Sequence, residues 1–292
     1  MVNGRAQVTS ASQGAVATQT APTPPVRQWR RFKYPDSLYA YGALLAVLVF
    51  LTYSIEYLNI PLERIFGMFG RLGDLMANRY YPPDLEYIWD RDYLKYVIET
   101  IQMAYLGALF GLLISLALGW LGAFNVSPSR RYVYPLARFV TMSCRAVHEM
   151  IWAILFVTIL GFGMLAGVLA LTLFCAGFAG KLFAEEVEAI DMGPVEAMQA
   201  TGANHLQVFV YAVVPQVRVA FTGIAIYTWD VAFRAATVVG FFGAGGMGWY
   251  LKRNVLQIET HRTAAILLSI IVLVVISEAV SAWARDRVSK SK

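Results

Sequence analysis

Charge is scarce in this sequence. Only 15% of its 292 residues are Asp, Glu, Lys or Arg, where an ordinary soluble domain carries about a quarter. Cysteine is scarcer: Cys144 and Cys175 both stand in apolar surroundings, which gives no metal pattern and no basis for a disulfide framework. The three histidines, His148, His205 and His261, lie in three separate regions, so neither a metal cluster nor a nucleophile–base–acid set is spelled out. No Walker motif occurs. Gly180-Lys181 lacks the glycine a phosphate loop requires five residues earlier, where Cys175 stands. No internal repeat is evident, so an inverted-repeat secondary transporter gains no support. The first residues lack the basic start and apolar core of a signal peptide.

Apolar residues, by contrast, make up 58% of the chain. Thr100–Ser129 and Met150–Gly180 contain no charged residue at all. A membrane span needs about 20 apolar residues, so the bilayer is the solvent and several spans are required. The net charge of +5 would suggest nucleic acid in a soluble chain. Here the basic residues cluster beside apolar runs, where they orient a membrane protein, and no nucleic-acid partner is expected.

In chain order, residues 1–33 read as a disordered cytoplasmic tail. It is rich in Ala, Thr, Ser, Gln and Pro and ends in the basic, aromatic edge from Arg27 to Lys33. Residues 34–93 hold a first span, about 37–57, and an amphipathic extracytoplasmic segment. In that segment Ile60, Ile65, Met68, Phe69, Leu72, Leu75 and Met76 recur at helical spacing until Tyr80-Tyr81-Pro82-Pro83 ends the run. Residues 94–288 form the core. Spans are expected over about 94–123, from Tyr134 to a hairpin at Gly161-Phe162-Gly163, over about 164–183, over about 208–239 with a kink at Pro215, and over about 263–283. A glycine-rich loop, 240–248, precedes the last of these. The fold class is all-α, a polytopic membrane protein of about six helices. Six spans place both termini on one side. The amino-terminal flank, Arg130-Arg131 and the basic carboxy-terminal tail share that side, which marks it as cytoplasmic. Lys252, Arg253 and Arg262 fall on the other side, against the trend.

A polar segment at 191–205 also lies on the cytoplasmic side. Gly193-Pro194 suits a helix start, and Glu196 sits where the helix dipole favours a carboxylate. Gly202 suits the left-handed residue that stops a helix, and Asn204 can cap the next one. The product is a compact helix-turn-helix. Physics alone leaves open whether it is a docking knob or a membrane loop that happens to be helical.

Within this segment and just beyond it, Glu196-Ala197-Met198, Gly202, Ala212 and Val214-Pro215 resemble the signature loop of ABC-importer permeases. That loop reads Glu-Ala-Ala, three residues, Gly, nine residues, Ile, one residue, Leu-Pro. The spacing is the same, with Met198, Ala212 and Val214 as mild apolar departures. Lys181–Asp191, Gly193-Pro194 and the run Tyr227–Gly248 are further similar to phosphonate-transport permeases. Such proteins carry an acidic residue, an Arg four residues on, an Ala-Ala-Thr-Val run and a Gly-Ala-Gly-Gly turn. Asp230, Arg234, Ala235–Val238 and Gly243–Gly248 match these. The resemblance covers roughly residues 95–285.

The resemblance implies the type I ABC-importer permease fold in a bacterial cytoplasmic (inner) membrane, with 191–205 as a cytoplasmic coupling helix. It assigns ATPase coupling to Glu196, Ala197, Met198, Gly202 and Pro215. It implies two copies of an ATPase subunit that hold the ATP and Mg, an extracytoplasmic phosphonate-type binding protein and a second permease copy. The chain itself is then no enzyme, holds no cofactor or metal, and carries a phosphonate or related phosphorus oxyanion. A permease for another small solute, or a stand-alone secondary transporter, is the alternative.

Several polar residues have two readings each. Asp230 and Arg234 are spaced to pair on one helix. Either the pair only tolerates burial, or Arg234 lines the pathway with Asp230 holding it. Arg145, His148 and Glu149 could share one helix face and line the pathway, or pack between helices or subunits. Glu99, Gln102 and Glu278 read as interface residues or as groups satisfied within the bundle. Gly243, Gly245, Gly246 and Gly248 match a dinucleotide fingerprint as a string. They follow a span rather than a strand, so a close-packing turn at the pore end is expected instead.

Overall fold

The computed structural model describes residues 36–58 and 62–289. The expected amino-terminal tail and its basic edge, Ile60, and the final lysines lie outside the described residues. The chain divides into two units, residues 1–67 and 68–292. The first unit contains α1, Asp36–Leu58, an uninterrupted apolar helix. α2, Leu62–Leu75, begins in the first unit and ends in the second. It runs into a π turn, Met76–Tyr80, and ends at the cis Tyr81-Pro82 bond.

The second unit is built on α3, Arg91–Leu121, and α6, Met164–Glu188. Between them come α4, Val133–Ala146, and α5, Glu149–Leu160. After α6 follow α7, Gly193–Ala200, α8, His205–Val208, and α9, Val214–Val239. Last are α10, Gly246–Leu256, and α11, Thr260–Ser289. No strand occurs among the described residues. Five helical stretches are long and apolar enough to cross a membrane. The α4–α5 pair, bent by 89°, makes a sixth if it is one span.

α3 and α6 run parallel in the most extensive helix–helix contact among the described residues. A Cβ on Gly107 would lie 2.5 Å from the Leu171 Cβ, on Gly111 2.4 Å from the Cys175 Cβ, and on Gly119 2.6 Å from the Phe183 Cβ. From the other side, a Cβ on Gly167 would fall 2.1 Å from the Met103 sulfur. Small residues let two backbones approach where lipid gives no hydrophobic drive to associate. Most residues buried along α6 are accordingly Ala, Gly, Val or Thr. α9 closes over this pair through Ala232, Phe233, Ala235, Ala236 and Val239.

Two expectations need correction. The third span is not continuous. α4 ends at Ala146, where its last turn packs closely on α6: a Cβ on Gly177 would lie 2.7 Å from the Cys144 Cβ and 3.1 Å from the Arg145 backbone nitrogen. Val147 and His148 are extended, His148 Nδ1 accepts from the Met150 N–H, and Trp152 Nε1 donates to the freed Cys144 carbonyl at 3.4 Å. These bonds re-satisfy part of the backbone at the break. The second correction is α10. Residues 246–248 were expected in a loop but open a helix, which packs Met247 and Tyr250 against Tyr93 and Ile266.

The segment 81–90 is strapped to the α10–α11 junction. The Asp84 N–H donates to the His261 carbonyl, His261 Nδ1 lies 2.9 Å from the Pro82 carbonyl oxygen, and Arg262 reaches Asp84 at 3.7 Å and Glu259 at 3.2 Å. Tyr87, Tyr93, Tyr96 and Tyr250 pack ring to ring beneath. The cations that ran against the charge trend are therefore engaged locally. Arg262 pairs with these carboxylates, while Lys252 lies over Trp249 and Arg253 over Tyr250.

Gly111→Val should lower the thermal midpoint of the purified protein by several degrees, because overpacking costs about 1–3 kcal/mol. Gly70→Ala, in a helix with nothing within 4 Å of the added Cβ, should leave it unchanged or raise it. Static light scattering on heating, or detergent size-exclusion after heating, checks both.

Candidate functional site

α6 delivers its last turn to a small core that also holds the α3–α4 connection and the start of α9. Ala123, Val126, Val187, Val195, Val208, Ala212, Val213 and Val217 are buried there, with Trp120, Met192, Met198 and Phe209 around them. α7 stands on this core. Val195 is fully buried beneath it, and Met198 is half-buried. Glu196, Ala197, Gln199 and Ala200 face outward. Pro194 opens the helix, and Gly202 stops it at φ +81°, a conformation a side chain strains. Asn204 then caps α8 in a reciprocal box: its Oδ1 accepts from the Gln207 N–H at 2.8 Å, and Gln207 Oε1 accepts from the Asn204 N–H at 2.9 Å.

The knob is tied down by two residues that sequence reasoning passed over. Gln216 accepts from the Asp191 N–H at 3.1 Å, donates to the Asp191 carbonyl at 3.2 Å, and donates to the Ala212 carbonyl at 2.8 Å. It follows Pro215, whose missing N–H leaves the preceding π turn, Phe209–Val213, short of a donor. Glu188 accepts from the Phe124 N–H at 2.9 Å and from Arg138 Nη2 at 2.5 Å. It links α6 to the α3–α4 connection and to α4. The only sequence signal for either was a polar residue at the end of an apolar run.

Arg234 and Asp230 pair on α9 at 2.8 Å. The Asp230 side chain is 6% exposed and that of Arg234 is 53% exposed. The guanidinium is thus held by a buried carboxylate and keeps its outer donors free. Arg145, His148 and Glu149 do not share a helix face. Arg145 is the exposed last residue but one of α4, His148 caps α5, and Glu149 is the first residue of α5. His148 Nδ1 lies 3.2 Å from Glu149 Oε2. The break in α4–α5 separates what a continuous helix would have aligned.

The glycine turn lies at the end of the fold away from α7, because α3 and α6 are parallel and α6 leads into α7. Gly243 has φ +107° and packs on Phe162, Gly245 has φ +90°, and Gly246 has φ +66° against Thr100. Met247 N–H donates to Thr100 Oγ1 at 2.8 Å, and Gly246 N–H to Glu99 Oε2 at 3.3 Å. A Cβ on Gly248 would fall 2.1 Å from the Thr237 carbonyl oxygen. The turn therefore joins α9 to α3 with no space for a side chain at Gly246 or Gly248. Among the described residues no group of His, Cys, Asp and Glu could hold a metal ion.

A helical knob on a parallel, glycine-packed pair, with a broken helix beside it, is the permease fold of ABC importers. The chain superposes on the inward-facing MetNI methionine ABC transporter with a TM-score of 0.56 at 20% identity, over 67% of this chain and 95% of that one. A bacterial ABC transporter that imports the acidic polysaccharide alginate gives 0.59 at 15% identity, over 87% and 98%. The sequence profile of the binding-protein-dependent transport system inner membrane component matches residues 111–290, and the chain belongs to that family. It is similar to the phosphite transport system permease protein PtxC of Stutzerimonas stutzeri, 40% identical over 206 residues, 70% of this chain and 74% of that protein. It is also similar to the phosphate-import permease protein PhnE of Mycolicibacterium smegmatis, 34% identical over 227 residues, 78% of this chain and 42% of that protein.

Gln216→Leu removes both bonds to the Asp191 backbone. Hydrogen exchange at Asp191–Ala200 should accelerate about tenfold, the equivalent of roughly 1.4 kcal/mol for the lost bonds. Exchange in the middle of α6 should stay as it was.

Proposed function

We propose that this chain is the permease subunit of an ATP-driven importer for a phosphorus oxyanion, a phosphonate, phosphite or phosphate ester. The observation that carries this reading is the outward face of α7, which displays Glu196 and Ala197 on a rigidly seated knob that ends at a left-handed Gly202. The knob presents backbone and small side chains to a partner while its own core stays closed. One knob per chain suits an ATPase dimer with two grooves if two permease copies pair. ATP and Mg then belong to the ATPase subunits. On this reading α7 is cytoplasmic, both chain termini share its side, and the permease core is 94–288.

The cycle follows from that arrangement. A loaded binding protein docks at the end of the fold distant from α7. ATP closes the ATPase pair, the two knobs move with it, and the pore between two copies changes from inward-open to outward-open. Membership of the binding-protein-dependent family supports the docking step, and relatives named for phosphite and phosphate support the oxyanion. Arg234 suits such cargo because a guanidinium matches phosphorus oxyanions in geometry as well as charge. Asp230, buried beneath it, fixes its position.

Proteoliposomes holding the permease, its ATPase and the loaded binding protein test the reading. Substitution of the catalytic Glu of the ATPase should abolish uptake of methylphosphonate; surviving uptake would make the chain a stand-alone transporter. Glu196→Lys and Gly202→Val should each lower uptake at least about tenfold, about 1.4 kcal/mol of coupling, while the chain still inserts. Arg234→Ala should lose uptake yet copurify with the ATPase. Unimpaired uptake would return Arg234 to a purely structural role.

A further inference from the structure

The first three turns of α3 carry a polar row that the pairing of α3 with α6 leaves uncovered. Arg91, Lys95, Glu99 and Gln102 fall on one helix face and, with Leu94, Ile98 and Met164, line an open cleft of about 490 Å³. Arg91, Lys95 and Gln102 are exposed and Glu99 is half-buried. Among the described residues neither Arg91 nor Lys95 makes an ion pair or a ring contact, in contrast to Arg234 and Arg262.

The carboxylate of Glu99 is already engaged, accepting from the Gly246 N–H at 3.3 Å. Asp90 is turned to the backbone, where it caps α3 through the Asp92 N–H. The cleft lining thus holds two cations against the one carboxylate of Glu99, with Asp90 and Asp92 at the helix amino terminus beside it. Leu94 and Ile98 are exposed among these polar residues, and below Gln102 the face is apolar at Tyr105 and Leu109. Arg91 and Lys95 stand in the first two turns of the 31-residue α3, where long cations at a helix end keep their charged heads in water.

We infer that this cleft is the capture site for the oxyanion, where Arg91 and Lys95 take a phosphorus oxyanion as it leaves the binding protein and Gln102 donates to it below. The inference rests on the function proposed above, which makes this end of α3 extracytoplasmic. Glu99 serves as a positioning residue. Its bond to Gly246 ties the cleft to the glycine turn that follows Arg234's helix, so the cleft is mechanically joined to α9. The ligand chemistry is a phosphate-like oxyanion, which a free solute or a lipid headgroup could supply.

The cleft's electrostatic field can be read without transport. In right-side-out vesicles with the full complex, Gln102→Cys should react with impermeant thiosulfonates added outside. Arg91→Gln with Lys95→Gln should slow the anionic sulfonatoethyl reagent several-fold and speed the cationic trimethylammonium reagent. A thiol closed to both reagents would mean lipid or protein fills the cleft, and rates indifferent to the two cations would mean it attracts no anion; either overturns the inference. In proteoliposomes the same double substitution should reduce methylphosphonate uptake at least tenfold, and Arg91→Lys with Lys95→Arg should restore it. Uptake unchanged in the neutralised protein would also overturn the capture role. Failure of the unsubstituted complex to carry methylphosphonate would count against the proposed cargo, and the thiol rates would still decide whether the cleft attracts anions.

Discussion

The close contact of α3 with α6 is the constraint on which the remainder depends. Gly107, Gly111 and Gly119 on one helix, and Gly167 and Gly180 on the other, bring the two backbones together along most of their length. Dispersion and weak hydrogen bonding act only at such distances, and inside a bilayer they replace the hydrophobic drive. Because the helices are parallel, the contact gives the unit two distinct ends. One end holds α7. The other holds the glycine turn, the hairpin at Gly161–Gly163 and the polar row of α3.

Each end is fastened by polar contacts, exposed at the α7 end and buried or half-buried at the other. At the first, Glu188 and Gln216 fix α7 and its flanks through backbone partners. At the second, Thr100 and Glu99 receive the N–H groups that open α10. Backbone groups satisfied this way leave little freedom for either end to move alone. On the proposed function, a displacement of α7 is passed along α6 and α3 as a movement of one body. Asp230 and Arg234, on the helix laid over that body, then travel with it. That reading lets a partner acting at one end alter the other.

Much of this was legible in the chain. The run lengths gave the spans and the hairpin. The order Pro194, Glu196, Gly202, Asn204 spelled the start, stop and restart of the knob in local chemistry, and the structure keeps those four positions. The i,i+4 spacing of Asp230 and Arg234 gave their pairing. The failures have a common cause in tertiary override of local preference. No Pro or Gly stands between Cys144 and Met150, yet Val147 and His148 are extended and the helix restarts with His148 as its cap. Residues 246–248 are poor helix formers and read as a loop, yet Thr100 and Glu99 supply acceptors for the first N–H groups of α10. Gln216 went unnoticed because its partners, the two backbone groups of Asp191, lie 25 positions away.

On the proposed function, α3 and α6 move as one body throughout transport, and a covalent tie between them puts this to the test. A Cβ on Gly180 would lie 3.4 Å from the Leu118 Cβ, close to the separation of about 3.8 Å found in disulfides. Gly180→Cys with Leu118→Cys should crosslink on mild oxidation, and ATP-driven uptake in proteoliposomes should continue at the rate of the reduced protein. Uptake that stops on oxidation and returns with dithiothreitol would mean that the two helices slide past each other, and would contradict the account.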